Sequence, residues 1–110
     1  MDLTKKKCAP CEGRTPLFTD RQIEEYRTHI QSEWLVLGQK KLRRVFTFTD
    51  FVQAMRFVNA IAKVAESEGH HPDLTVSYNI VTVELWTHAI DGLSENDFIL
   101  AAKINALQKL

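Results

Sequence analysis

The spacing of apolar residues changes period several times along the chain, and each change marks an element. In "FTDRQIEEYRTHI" (18–30), Ile23, Tyr26 and Ile30 recur at helical spacing. Thr19 or Asp20 stands where a helix cap belongs, with acidic residues in the early turns. His29 lies beside this stripe and reads as a surface or boundary residue. The period then shortens. Leu42, Arg44, Phe46 and Phe48 alternate with Arg43, Val45 and Thr47, the repeat of a strand rich in β-branched and aromatic side chains. Trp34–Leu37 is its expected partner, with the turn at Gly38–Lys41. Helical spacing returns in "TDFVQAMRFVNAIAKVAESEG" (49–69). Thr49 or Asp50 can cap this helix, and Phe51, Ala54, Met55, Val58, Ile61, Ala62 and Ala65 form its expected core stripe. Gly69 is a natural left-handed stop.

Beyond Gly69, Leu74, Val76 and Tyr78 alternate, and so do Val81, Val83 and Leu85, out of phase with the first set. A tight turn near Tyr78–Asn79 reconciles the two phases and predicts a hairpin. His88 shares the phase of Thr82, Glu84 and Trp86, at the end of the last strand. In "LSENDFILAAKINALQKL" (93–110), Ser94 can cap a helix with Asp97 three residues on, a carboxylate version of the capping box. Nine of the thirteen residues from Phe98 to Leu110 are apolar, more than a single stripe needs. The excess leads us to expect that this helix also meets another subunit. Two hairpins separated by helices predict an α+β fold, a four-stranded antiparallel sheet with three helices packed on one face. Residues 1–18, with both cysteines and two of the three prolines, read as an N-terminal arm before a single domain at 19–110.

Composition narrows the function classes. At 110 residues with 45% hydrophobic and 25% charged residues, the chain suits one small globular domain, a size at which oligomerisation is a reasonable expectation. Fourteen basic residues balance fourteen acidic ones, which argues against direct nucleic-acid binding; "KKK" at Lys5–Lys7 is too short to change that. No apolar run approaches a membrane span or the apolar segment of a secretory signal, so a cytoplasmic location is the default expectation. Cys8 and Cys11 form "CAPC". Two reduced thiols in an arm, half of a metal site, and a redox pair all fit; zinc would need two further ligands, and redox use would want a strand-helix setting rather than a loop with Pro10 and Gly13.

The chemistry concentrates in "ESEGHHPD" (66–73). Gly69 ends a helix, and Pro72 drives His71 into an extended conformation. Adjacent extended residues aim their side chains differently, so His70 and His71 are expected to do different jobs rather than chelate one ion together. The predicted hairpin places the residues before Leu74 opposite those after Leu85. His70, His71 and His88 can therefore converge on one pocket. Imidazoles suit proton transfer near neutrality. The plainer alternatives are two surface histidines and an Asp97 that only caps its helix. A zinc site joining Cys8 and Cys11 to His70 and His71 has the right ligand count, but the diverging histidines and the expected mobility of the arm weigh against it.

The stretch "ESEGHHPDLTVSYNIVTVELWTHAIDGLSENDF" (66–98) resembles the signature region of the pterin-4a-carbinolamine dehydratases. The pattern places a polar or acidic residue four positions before His-His-Pro, then an aromatic, a histidine and an aspartate; Glu66, His70, His71, Pro72, Tyr78, His88 and Asp97 occupy those places. Upstream, Trp34, "LRRVFTFTDF" (42–51) and "AMRFV" (54–58) are also similar, so the resemblance spans about residues 15–110, and the "CAPC" arm resembles that of some bacterial-type members. Leu74 stands where animal members carry a tryptophan. The resemblance implies a four-stranded antiparallel α+β fold, a homodimer or homotetramer, and dehydration of 4a-hydroxytetrahydropterin to quinonoid dihydropterin in tetrahydrobiopterin recycling, with no metal or other cofactor. It implies that His70 and His88 are the main acid/base pair and that His71 binds and positions the pterin. Asp97 would orient His88, Glu66 would help shape the site, and Pro72 and Asp73 would line or support it. It also implies an alternative, a non-catalytic dimerisation, assembly or transcriptional cofactor module, because animal members double as dimerisation cofactors of a homeodomain transcription factor.

Overall fold

A computed structural model describes residues 1–10 and 13–108. Its elements run α1 (Asp20–Arg27), β1 (Leu35–Leu37), β2 (Lys41–Thr47), α2 (Phe51–Glu68), β3 (Asp73–Ser77), β4 (Ile80–Leu85) and α3 (Glu95–Leu107), with short 3₁₀ turns at Leu3–Lys5 and His88–Ile90. The four strands form one antiparallel sheet in the order β1-β2-β4-β3. This is the expected α+β architecture.

Both turns form where the phase of the pattern breaks. Gly38 and Gln39, both at positive φ, bend the chain so that the Lys40 N–H donates to the Leu37 carbonyl. The β3–β4 turn is two residues long, Tyr78 and Asn79, between the paired Ser77 and Ile80, and Tyr78 takes φ 51°. That turn fixes the β3–β4 register, with Leu74 opposite Val83 and Asp73 opposite Glu84. Leu42, Arg44 and Phe46 of β2 and Val81, Val83 and Leu85 of β4 all face the core. Arg44 is the charged member of this face. Its guanidinium stacks on Phe46 at 4.4 Å and donates to Asn105 Oδ1 and Gln108 Oε1.

The expected stripe of α2 needs correction. Its buried residues are Ala54, Phe57, Ile61 and Ala65, whereas Phe51 is 49% exposed and Ala62 points to solvent. Phe51 lies in the first turn, and Ala62 is one step round the helix from Ile61. Asp50 caps α2 by accepting from the Gln53 N–H. Gly69 closes it at φ 66°, a conformation in which a side chain would be strained.

α3 is covered largely from within the chain. Phe98, Ile99, Leu100, Ala101 and Ile104 are all fully buried within the single chain. One side meets α2 and β4, and another meets the chain's own N-terminal segment. The rings of Phe18 and Tyr26 pack on Phe98 at 5.8 and 5.6 Å. These five apolar residues are covered from within the chain, whereas Leu107 is partly buried and lines a surface cavity, and Leu110 lies outside the described residues.

The N-terminal segment, expected to be mobile, is docked. Leu3 and Cys8 are buried, and Asn96 exchanges two hydrogen bonds with the backbone of Ala9. The Cys8 N–H donates to Glu68 Oε1 at 2.8 Å, and Lys103 reaches Glu68 Oε2 at 2.9 Å. The Cys8 N–H holds the Glu68 carboxyl below its ordinary value of 4.5; burial opposes this and Lys103 reinforces it. A folded-state value depressed in this way stabilises the docked arm above the ordinary carboxyl range. That stabilisation is lost as pH falls through the lowered value. The protection factor of the Cys8 amide, its intrinsic exchange rate divided by the observed rate, should therefore fall in acid, and Glu68→Gln should remove that acid dependence. Protection that stays constant down to the lowest pH at which the protein remains folded would refute the latch.

Candidate active site

The site forms where α2 ends. Gly69 turns the chain out of the helix, His70 follows, and Pro72 leads directly into β3. The β3–β4 hairpin returns the chain to the same end of the sheet, where the turn His88–Ile90 begins. Gly69, His70, His71, His88 and Ala89 line a cavity of about 250 Å³. The three histidines thus meet in one pocket, as the predicted hairpin geometry requires. A larger cavity of about 500 Å³, lined by Phe48, Arg56, Phe57 and Leu107 among others, contains no histidine or carboxylate. Its volume is greater, but the smaller pocket has the groups that can move a proton near neutrality.

Each histidine of the pocket stands beside its own carboxylate. His70 is buried, and its Nε2 lies 2.6 Å from Asp97 Oδ1. Asp97 is fully buried at the start of α3. Its Oδ2 accepts from the Ser94 N–H at 3.0 Å and from the Thr87 hydroxyl at 2.9 Å, while Thr87 Oγ1 lies 2.7 Å from Ser94 Oγ. A carboxylate offers only acceptors, which places the proton of the His70–Asp97 bond on Nε2. His71 is exposed, with Nε2 2.9 Å from Glu66 Oε2 on the last turns of α2. At that exposure the ion pair adds little stability. His88 is half-exposed, with Nε2 3.6 Å from Asp73 Oδ2.

This arrangement corrects one expectation. Asp97 does not orient His88; it is bonded to His70, and the carboxylate facing His88 is Asp73. The capping geometry that makes Asp97 accept from Ser94 turns its other oxygen toward the end of α2, not toward the turn after β4. Pro72 sits half-buried between His71 and the first residue of β3. Tyr78 is at the far end of the hairpin, 66% exposed, and is not among the residues lining the pocket.

Sequence reasoning missed Thr87, Ser94 as a partner of Thr87, and Trp86. The Trp86 indole donates to Asp73 Oδ2 at 2.7 Å, and its ring meets that of His88 edge-on at 4.3 Å. Its shared phase with His88, two residues on, was the available signal. Leu74 lies opposite Val83 and packs against the core, so the aromatic surface beside His88 comes from Trp86. Of the proposed zinc ligands, Cys11 lies outside the described residues. Cys8 Sγ is 3.6 Å from the Asn96 carbonyl oxygen. Among the described residues no cluster of three or more His, Cys, Asp or Glu side chains could hold a metal ion.

Fold and site together define a small α+β domain with a histidine–carboxylate pocket at one end of its sheet. The family model described as pterin 4 alpha carbinolamine dehydratase matches residues 16–107, and the chain belongs to that family of hydro-lyases. A Rickettsia bellii protein named as a pterin-4-alpha-carbinolamine dehydratase is 50% identical over 106 residues, 96% of this chain and 94% of the relative. One from Alkaliphilus metalliredigens is 43% identical over 97% of this chain and 96% of the relative. A crystal structure from Brucella melitensis, described as a transcriptional coactivator/pterin dehydratase, superposes with TM-score 0.78 at 33% identity, covering 84% of this chain and 98% of that one. A pterin dehydratase-like protein identified as a RuBisCO assembly factor in the alpha-carboxysome matches with TM-score 0.61 at 26% identity, covering 70% and 90%. Among the described residues no helix is long and apolar enough to cross a membrane.

Proposed function

We propose that this chain dehydrates 4a-hydroxytetrahydropterin to quinonoid dihydropterin and water, with His70 and His88 as the acid/base pair and His71 binding and positioning the pterin. The observation that carries this reading is the convergence of His70, His71 and His88 on one pocket, each beside a carboxylate. In the reaction the C4a–O bond breaks as an acid protonates the departing hydroxyl. A base takes the N5 proton, and the N5–H bonding pair becomes the C4a=N5 double bond. The elimination is redox-neutral, so two imidazoles of opposite protonation state are sufficient chemistry. The names of the relatives support the substrate class. A cytoplasmic homodimer or homotetramer serving tetrahydrobiopterin recycling is the setting that fits this activity and the small size of the domain.

The test is to generate the 4a-carbinolamine in situ and follow formation of quinonoid dihydropterin with and without purified protein. Acceleration over buffer is expected, and its absence would remove the enzymatic reading. A non-catalytic assembly or coactivator role is the second reading, favoured by the descriptions of the two solved neighbours. Phe98, Ile99, Leu100, Ala101 and Ile104 of α3, an apolar helix that could serve such a role, are buried within this chain.

A further inference from the structure

His88 is held differently from His70. His70 is buried against a carboxylate that is itself fixed by Ser94 and Thr87. His88 sits on a single exposed 3₁₀ turn with no side-chain cap, and among the described residues Asp73 is the one side chain in polar contact with it. An exposed carboxylate at 3.6 Å is a loose partner unless something fixes its rotamer. Trp86 does this. Its indole N–H donates to Asp73 Oδ2, the same oxygen that faces His88 Nε2, across the paired ends of β3 and β4. The Trp86 ring also walls the imidazole edge-on at 4.3 Å, while the Lys41 ammonium sits 4.7 Å from the centre of that ring and restrains it in turn.

We propose that Trp86 is a positioning residue for His88, acting both through the Asp73 carboxylate it holds and through the ring it presents to the imidazole. The inference rests on the reading of His88 as a proton-transfer group. A carboxylate oxygen fixed opposite Nε2 favours the proton on that nitrogen and leaves Nδ1 as the acceptor, so Trp86 selects the tautomer as well as the orientation. Trp86→Phe keeps a ring and removes the donor; Trp86→Gln keeps an N–H donor and removes the ring.

Two measurements test this. Nitrogen-15 shifts of neutral His88 should show the Nε2–H tautomer in the wild type and a mixture in Trp86→Phe and Asp73→Asn, with Trp86→Gln retaining more of the wild-type preference. Trp86→Phe should lower kcat about tenfold, with KM changed by less than about twofold. In a His88→Ala background the same substitution should have no further effect, because the group it acts through is gone. An unchanged tautomer in both Trp86→Phe and Asp73→Asn, or a Trp86→Phe loss that persists in full without His88, would overturn the proposal. If instead His88→Ala alone keeps the wild-type rate, the acid/base reading of His88 fails, and the tautomer measurement decides the positioning claim by itself.

Discussion

Asp97→Ala should destabilise the protein by about 3–5 kcal/mol, while Asp97→Asn should stay folded and lose most of its activity. The alanine leaves three buried groups without their acceptor: the His70 ring N–H, the Ser94 amide and the Thr87 hydroxyl. It also removes the carboxylate that completes the N-terminus of α3. In a domain of this size the loss should lower Tm by on the order of 15 °C. Asparagine can keep its oxygen on Ser94 and Thr87, but its amide nitrogen then faces His70 Nε2. A donor in that place forces Nε2 to become the acceptor and moves the imidazole proton to Nδ1. His70 would remain in position with the wrong tautomer. Thermal melts together with rates of carbinolamine dehydration separate the two outcomes. An Asp97→Asn protein with the wild-type rate would show that the His70 tautomer does not matter to the reaction.

The same residue shows where sequence reading stops. Ser94 and Asp97 are three residues apart, so their capping relationship is local and legible in the pattern. The approach of Asp97 to His70 joins the start of α3 to the end of α2 across 27 residues, and no periodicity encodes it. The choice of His88 as its partner followed from the family pattern alone. The convergence of the histidines was legible for a different reason. Two out-of-phase alternations admit one turn position, that turn fixes the register of β3 and β4, and the register returns His88 to the corner after α2. Apolar content at α3 records that a helix is covered and not which surface covers it. Phe18, Tyr26 and the docked N-terminal segment supply that cover from the same chain. In α2 the stripe is displaced at both small and large residues: Ala62 and Phe51 are exposed, while Phe57, three residues after Ala54 and four before Ile61, is buried but absent from the expected stripe.

The largest effect on rate is expected from His88→Ala, a fall in kcat of about 10²–10⁴-fold with little change in stability. His88 is half-exposed on a 3₁₀ turn and packs chiefly against Trp86, so truncation removes little buried surface and leaves Asp73 still bonded to the indole. The corresponding test at His70 needs another substitution. His70→Ala would open a gap in a buried position and strand the Asp97 carboxylate, mixing a folding defect into the kinetics. His70→Gln keeps an amide N–H that can reach Asp97 Oδ1 while removing the imidazole. It should fall into the same range of lost rate while unfolding close to the wild type. His71→Ala should chiefly raise KM, since that ring is exposed at the pocket rim and lies within hydrogen-bond distance of Glu66. Steady-state kinetics on the three variants, with melting curves alongside, divide the labour among the rings. A His88→Ala enzyme with undiminished kcat would take proton transfer away from this histidine. The elimination would then have to run on His70 with solvent as the second proton carrier.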